Sequence, residues 1–161
     1  MSDNHMLFSV CSVAAERVFP LRSKVLLEGN AESCRFRHDE NDSTLHLAVY
    51  RSDRIVAVAT ICRESLPGSA SDAEWRLRGV AVEARLRGYG LGRLLTKLCL
   101  DHAQNEGGRL AWCTARESAR GFYETLGFAS CAPPFQLPSR PDVLFHEMHC
   151  VLPVEAASKA G

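Results

Sequence analysis

The sequence lacks an excess of charge of either sign. Its 161 residues include 19 lysines and arginines and 19 aspartates and glutamates, so the formal net charge at pH 7 is zero. A chain without net charge has no strong long-range field to attract nucleic acid or an anionic membrane. Several arginines do crowd the region from 76 to 93, but apolar residues interrupt them, which favours a site for a small anion over a nucleic-acid surface. We therefore expect neither nucleic acid nor a membrane as a partner.

Long apolar runs and paired cysteines are also missing. No apolar stretch reaches the length of a membrane span. The seven cysteines include no CxxC pair and show no recurring ligand spacing. With no signal-peptide pattern, this indicates reduced thiols in a cytoplasmic protein. The run "HEMH" at 146–149 lacks the H-E-x-x-H spacing, and strand alternation turns its two histidines to opposite faces, so we expect no metal site.

Length and apolar content indicate one globular domain. A chain of 161 residues with 46% hydrophobic residues can bury a core without metal or disulfide support. We expect a single domain over 1–161, with its core at about 6–152 and a tail at 154–161. The patterns predict the element order β-α-α-β-β-β-α-β-α-β-β, an α/β (α+β) layout of a sheet flanked by helices.

Individual elements follow from periodicity and breakers. Residues 6–10 read as a first strand, and a helical pattern follows that Pro20 splits into two short helices or kinks, ending at Gly29. Residues 30–43 are polar and irregular. The alternating run 44–50 and the apolar run 55–64 form a hairpin. Five residues share one face of the later helix: Leu91, Leu94, Leu95, Leu98 and His102. The last segment gives two strands around a proline-rich loop.

The stretch "RLRGYGLG" at 85–92 lies between an apolar strand and that helix. Its glycines are spaced G-x-G-x-G, which is too tight for the dinucleotide fingerprint, and no Lys-Ser/Thr pair follows as a P-loop requires. Glycines allow positive φ and close approach of a ligand, so several N–H groups can converge at a helix N-terminus and bind phosphate. From the glycines alone, a turn without a ligand is an equal alternative.

Two segments together resemble the GNAT superfamily of N-acetyltransferases. "RGYGLG" from Arg87 to Gly92 matches R/Q-x-x-G-x-G, the family's coenzyme A pyrophosphate loop, and "ARGFYETLGF" is similar to its A-x-x-F-Y-x-x-x-G-F segment. The apolar strand "LRGVAV" stands directly before the loop, and the element order agrees from about residue 6 to 152. The resemblance implies a mixed, mostly antiparallel sheet and acetyl-CoA as cosubstrate, within a bacterial branch whose acceptors are unassigned.

The resemblance also assigns the cofactor residues. Main-chain groups of Val80, Ala81 and Val82 would hold the pantetheine arm, as when a peptide strand is added to a sheet edge. The pyrophosphate would lie on the following loop and helix start: Arg87, Gly88, Tyr89, Gly90, Leu91, Gly92 and Arg93. Arg93 is equally well read as a surface arginine.

The resemblance makes Tyr123 the general acid that protonates the leaving thiolate; the alternative is that it packs with Phe122 and Phe128. The base is less defined, because the glutamate of the histone-acetylating branch falls at Arg76. Glu74 is the tentative substitute, with exposure to solvent as its alternative. His46 is a second candidate, and a structural histidine is the plainer reading.

Two further positions, 116 and 113, bear on the predicted site. Arg116 stands where many members have an asparagine, and a guanidinium cannot accept the hydrogen bonds of that role. Cys113 is read as a packing residue, since no activating base is evident.

The function that follows is transfer of acetyl from acetyl-CoA to a primary amine of a small molecule or protein, by direct attack. The alternative is a non-catalytic acyl-CoA-binding regulatory module on the same fold. Either a monomer or a homodimer is compatible with the sequence.

Overall fold

The fold is given by a computed structural model that describes residues 7–26 and 35–154. In chain order the strands are β1 Ser9–Ser12, β2 Leu45–Arg51, β3 Arg54–Arg63, β4 Glu74–Val82, β5 Leu110–Arg116, β6 Ala129–Ser130, β7 Phe135–Leu137 and β8 Arg140–Val151. The helices are α1 Ala15–Leu26, α2 Leu91–Asn105 and α3 Arg120–Glu124, with 3-10 turns at Ala84–Leu86 and Glu117–Ala119. No helix within the described ranges is long and apolar enough to cross a membrane.

The strands form one mixed sheet. Its order is β1-β2-β3-β4-β5-β8-β6, with β7 paired to β8. The β4–β5 pair is parallel, whereas the pairs β1–β2, β2–β3, β5–β8, β6–β8 and β7–β8 are antiparallel. The predicted class, a mixed and mostly antiparallel sheet with helices, is confirmed.

The chain divides into two compact units. The first unit comprises residues 1–62 and 77–99, and the second comprises 63–76 and 100–161. In the first unit α1 packs on the sheet through one apolar cluster. That cluster contains Ala15, Val18, Phe19 and Leu21 from the helix and Ala48, Val58 and Ala81 from three strands.

Helix α1 runs through Pro20 without ending there. Of the two alternatives for this segment, two short helices or one kinked helix, the described part contains a single helix from Ala15 to Leu26, so the split into two helices at Pro20 is wrong; Gly29 lies outside the described residues. Pro20 lies on the exposed side of the helix, where water can solvate the carbonyl that loses its hydrogen-bond partner. The first strand is also shifted from the predicted 6–10 to Ser9–Ser12, and Met6 is outside the described residues.

The predicted β2–β3 hairpin is present. Arg51 pairs with Arg54 across a two-residue turn, and Ser52 takes a left-handed φ of 58° there. Both faces of β2 are covered, since residues 46–49 are all buried. Of the predicted loop 30–43, residues 30–34 lie outside the described ranges, and 35–43 form turns that are linked to the sheet by polar contacts described below.

The second unit contains the C-terminal strands. Its longest strand, β8, pairs with β5 from Leu110↔Val151 to Arg116↔Phe145. Where two strands were predicted, three occur, because the proline-rich stretch contributes the short β7 before β8. Trp75 is fully buried and makes an edge contact with His102 at 5.5 Å.

The buried stripe of α2 differs from the one predicted. Leu94 is 41% exposed, whereas Leu91, Leu95, Cys99 and Ala103 are buried. These four are spaced by four residues and follow one helix face. The predicted face is thus right for Leu91 and Leu95 and wrong for Leu94, and it missed Cys99 and Ala103 because these core positions carry small residues.

Candidate active site

The glycine loop links the end of β4 to the start of α2. After the 3-10 turn Ala84–Leu86, Arg87 is extended with φ −70° and ψ 149°. Gly88 and Gly90 then take φ of 93° and 81°, values that residues with a Cβ rarely adopt. A Cβ built on either glycine would meet no atom within 4 Å. The glycines are therefore not required by packing, and the space beside them is open.

Buried groups fix both ends of this loop. Leu86 before it and Leu91 after it are 4% and 5% exposed. The N–H of Glu83 donates to the carbonyl of Val56 at 2.9 Å, and the Glu83 carboxylate pairs with Arg54 at 2.6 Å. The stretch 87–90 between these anchors is exposed. The N–H of Leu94 donates to the Gly90 carbonyl at 3.0 Å, which begins the helical pattern. The first N–H groups of a helix have no intrahelical acceptor, so the loop delivers donors toward the open side.

Strand β4 approaches this loop with a bend. Gly79 has φ 67° inside the strand, directly before Val80, Ala81 and Val82. Ala81 is buried, and its two neighbours are half-buried. The predicted pantetheine-binding residues thus follow the bend and lead to the glycine loop, all within the first unit.

His46 occupies a closed hydrogen-bond chain in the first unit. Its Nδ1 lies 2.8 Å from Thr60 Oγ1, and its Nε2 lies 2.8 Å from the carbonyl of Asp39. A carbonyl only accepts, so Nε2 carries the proton. Thr60 Oγ1 accepts from Arg22 Nη2 at 2.8 Å, and its own proton is thereby directed to Nδ1. With both ring nitrogens engaged and 5% exposure, His46 fits the structural reading rather than that of a base.

Tyr123 lies in α3, in the second unit. Its ring makes edge contacts with Phe122 at 5.0 Å and Phe128 at 5.5 Å. The aromatic packing that was the alternative for Tyr123 is therefore present. Phe128 is buried, but Tyr123 is only half-buried. One ring can both pack on its faces and present a hydroxyl at its edge.

Two carboxylates of the second unit lie near the predicted base position. Glu74, the sequence-based candidate, accepts a hydrogen bond from the N–H of Leu66 at 2.9 Å. Arg76, which replaces the family glutamate, pairs with Glu64 at 2.9 Å, and its guanidinium lies 4.5 Å from the Trp112 ring. Glu64 was not predicted as a site residue. The available signal was an acidic residue directly after an apolar strand, with an arginine twelve residues later.

The remaining candidates are placed as follows. Cys113 is 2% exposed, and burial raises the pKa of its thiol to about 12, with the charge of Arg76 opposing the shift. It is therefore a neutral thiol at physiological pH, in keeping with the packing reading. Arg116 is half-buried at the end of β5.

The histidines of "HEMH" bind carboxylates. His146 contacts Glu117, and His149 Nε2 lies 2.9 Å from a Glu147 oxygen. The described residues contain no group of three or more potential metal ligands.

Comparison with known proteins gives the family. A family model described as an acetyltransferase (GNAT) domain matches residues 23–152. The chain belongs to the GNAT acetyltransferase family. It is 26% identical over 133 residues to the uncharacterised N-acetyltransferase YitI of Bacillus subtilis, covering 82% of this chain and 89% of that one.

Solved structures show the same fold at lower identity. A candidate N-acetyltransferase of Lactobacillus plantarum has a TM-score of 0.71 at 21% identity, over 91% of this chain and 99% of that one. An aminoglycoside 6'-N-acetyltransferase complexed with coenzyme A also has a TM-score of 0.71, at 14% identity, over 91% of this chain and 98% of that one. As a GNAT member, the chain is an acyl-CoA-dependent N-acetyltransferase.

Proposed function

We propose that the protein transfers acetyl from acetyl-CoA to a primary amine, of a small molecule or a protein, by direct attack. The observation that carries the proposal is the glycine loop. Gly88 and Gly90 adopt positive φ, with open space where a side chain would stand, at the start of a 15-residue helix. Backbone N–H groups and a helix N-terminus form a site suited to a pyrophosphate.

The cofactor residues act mainly through the main chain. Gly88 to Gly92 hold the pyrophosphate with N–H groups, and Arg87 adds a full positive charge. Arg93, the third residue of α2, is a further cation near the phosphates. Tyr89, 55% exposed and 6.4 Å from the Phe8 ring, contributes its backbone. Binding through backbone tolerates varied side chains, which suits a loop made largely of glycine.

The strand before the loop holds the pantetheine arm. Val80, Ala81 and Val82 offer N–H and C=O groups to its amides, as one β-strand does to another. An N–H near Val82 stabilises the negative charge that develops on the acetyl oxygen. At Gly79 the backbone departs from regular strand geometry. We infer that this bend leaves the main-chain groups of the residues after it able to pair with the ligand.

The chemical step requires two proton movements. The acceptor nitrogen bonds to the acetyl carbon, the carbon–sulfur bond breaks, and the electron pair leaves on sulfur. Tyr123 donates its hydroxyl proton to that thiolate. The nitrogen loses a proton, directly or through water, to a carboxylate, for which Glu74 is the first candidate and Glu64 the second. Two observations support Tyr123 as the general acid: its place in the family motif and its half-buried position.

A binding and turnover assay tests the function. Purified protein is titrated with coenzyme A by calorimetry, then mixed with acetyl-CoA and a panel of small and peptide amines, while free thiol and acetylated product are measured. We expect coenzyme A binding and amine-dependent thiol release. Absence of coenzyme A binding would contradict the proposal.

A second outcome distinguishes the alternative. Binding without amine-dependent thiol release across the panel would favour a regulatory acyl-CoA-binding module. The observation on that side is Arg76, which stands at the position of the family glutamate and engages Glu64. Glu74→Gln and Glu64→Gln then identify the base, because only loss of the proton acceptor shifts the pH–rate profile.

A further inference from the structure

A buried arginine lies beneath the bend of β4. Arg22 of helix α1 has no solvent exposure. Its Nη1 donates to Asp39 Oδ2 at 2.8 Å, and its Nη2 donates to Asp39 Oδ1 at 3.3 Å and to Thr60 Oγ1 at 2.8 Å. The guanidinium lies 3.8 Å from the centre of the Phe36 ring. A buried charge is tolerated only when it is paired and hydrogen-bonded, and this one is both.

The same arginine occupies the space that a side chain at Gly79 would fill. A Cβ on Gly79 would lie 2.8 Å from Arg22 Nε and 3.3 Å from Phe36 Cε2, both closer than ordinary contact. This contrasts with Gly88 and Gly90, beside which the space is open. The positive φ of Gly79 and the packing beneath it therefore belong together.

The partners of Arg22 are themselves held. Asp39 Oδ2 also accepts the N–H of Phe36 at 2.7 Å, and Asp39 is 6% exposed. The Arg78 guanidinium covers Phe36 at 3.9 Å from the ring centre. The ring is thus in contact with two guanidinium groups, one from the helix and one from β4 itself. An arginine fixed by a carboxylate, a hydroxyl and a ring has little freedom to move with the strand.

We propose that Arg22 is a positioning residue for cofactor binding: it fixes the bend at Gly79 and thereby directs the main-chain groups of Val80–Val82 toward the pantetheine arm. This inference rests on the proposed function, in which those groups bind acetyl-CoA. A buried ion pair adds little stability compared with an apolar packing of the same volume, so a role in geometry accounts for its presence better than a role in stability.

Arg22→Lys tests the inference. Lysine keeps the charge but loses the planar fork that binds both carboxylate oxygens and lies against the ring. We expect the Kd of coenzyme A, measured by calorimetry on protein shown by circular dichroism to be folded, to rise about tenfold, the equivalent of one lost hydrogen bond. Arg140→Lys, at a surface pair with Asp142, is the matched control and should leave the Kd unchanged.

A second substitution probes the contact itself. Gly79→Ala places a methyl group against Arg22 Nε, so we expect it to weaken coenzyme A binding. The fold-change should be smaller when Arg22→Ala is already present, because alanine removes the side-chain atoms that a methyl group at position 79 would contact, while the strained φ remains. Equal fold-changes in both backgrounds would show that Arg22 and Gly79 act independently, and would overturn the inference.

The failures are distinguishable. If the wild-type protein does not bind coenzyme A, the proposed function fails. If it binds and a folded Arg22→Lys binds within about twofold, only the positioning role fails. If Arg22→Lys does not fold, Thr60→Val is measured in its place, because it removes one of the hydrogen bonds that orient Arg22. A raised Kd of coenzyme A in that variant supports the positioning role, and an unchanged Kd rejects it.

Discussion

The two units differ in what they expose. In the first unit the exposed glycine loop presents backbone, while the charged groups of Arg22 and Asp39 are buried and paired with each other. In the second unit three groups that form ion pairs are partly exposed: the side chains of Glu64 and Arg76 are 19% and 20% exposed, and that of Glu117 is 55% exposed. Sealed ion pairs fix geometry, whereas partly open groups can exchange protons. We therefore expect changes in the first unit to alter affinity or stability and changes in the second to alter turnover or pH response.

The largest effect is expected at the sealed pair of the first unit, formed by the buried residues Arg22 and Asp39. Asp39→Asn leaves the Arg22 charge buried without a carboxylate, which should lower the free energy of unfolding by about 3–5 kcal/mol in urea denaturation. Asp142→Asn is the control, since its carboxylate is 72% exposed and pairs with Arg140 at 3.5 Å. That exposed pair should contribute at most about 1 kcal/mol. Similar losses for both variants would show that the first unit's pair is not special.

Gly90→Val separates binding from folding in the first unit. Its φ of 81° is strained for valine, and the new side chain occupies the open space where phosphate is proposed to lie. We expect coenzyme A binding to weaken by more than about 100-fold in a calorimetric titration. Gly68→Val is a matched control, because Gly68 has φ 83° and similarly open surroundings in the second unit. The control should lose stability and retain affinity; loss of affinity in both would count against the loop as the pyrophosphate site.

Tyr123→Phe examines turnover in the second unit. The ring contacts with Phe122 and Phe128 survive the change, and only the hydroxyl group is lost. We expect kcat to fall about 100-fold with the Kd of coenzyme A unchanged, as for removal of a general acid. Tyr50→Phe, half-buried in the first unit, should leave both quantities near wild type. A wild-type kcat in Tyr123→Phe would reduce Tyr123 to its packing role.

The sequence is informative where the relevant residues are neighbours in the chain. Gly88 and Gly90 lie close to Arg87, so the loop motif is visible in the sequence, and together with the second motif around Tyr123 it indicates the family. The same locality predicts the β2–β3 hairpin. The buried face of α2 was predicted only in part, because an apolar residue type does not by itself show that a position is buried. Leu94 is exposed, and Cys99 and Ala103 occupy core positions.

Groups that meet only through tertiary structure were not predictable. Arg22 meets Asp39 and Thr60 across 17 and 38 positions of the chain. Arg76 contacts Glu64, which directly follows the preceding strand and lies twelve residues earlier in the chain. Periodicity carries no information about such pairs, since it specifies faces and not partners. His46 illustrates the consequence. From the sequence alone it is a candidate base, but in the structure both of its ring nitrogens are engaged in hydrogen bonds.

The smallest effect is expected at the pair of Glu117 and His146 in the second unit, in which the carboxylate is exposed. The hydrogen bond from His146 lowers the pKa of Glu117 below its ordinary value of about 4.5, with smaller contributions from the charges of His146 and Arg120. A carboxyl whose pKa is lower in the folded state stabilises the fold above its unfolded pKa, and that contribution disappears as pH falls through the folded pKa. Glu117→Gln should therefore be less stable than wild type near pH 7, and the difference should vanish in strong acid.

Thermal unfolding across pH 2–7 measures this difference. Glu106→Gln is the control: Glu106 is an exposed glutamate, and the ion pairs found among the described residues do not involve it. Its curve should follow wild type throughout. A Glu117→Gln curve parallel to wild type at every pH would mean that the carboxylate does not stabilise His146. In that case the second unit would lack the titrating behaviour that sets it apart from the sealed pair of the first, because a stabilising carboxylate must lose its effect when it is protonated.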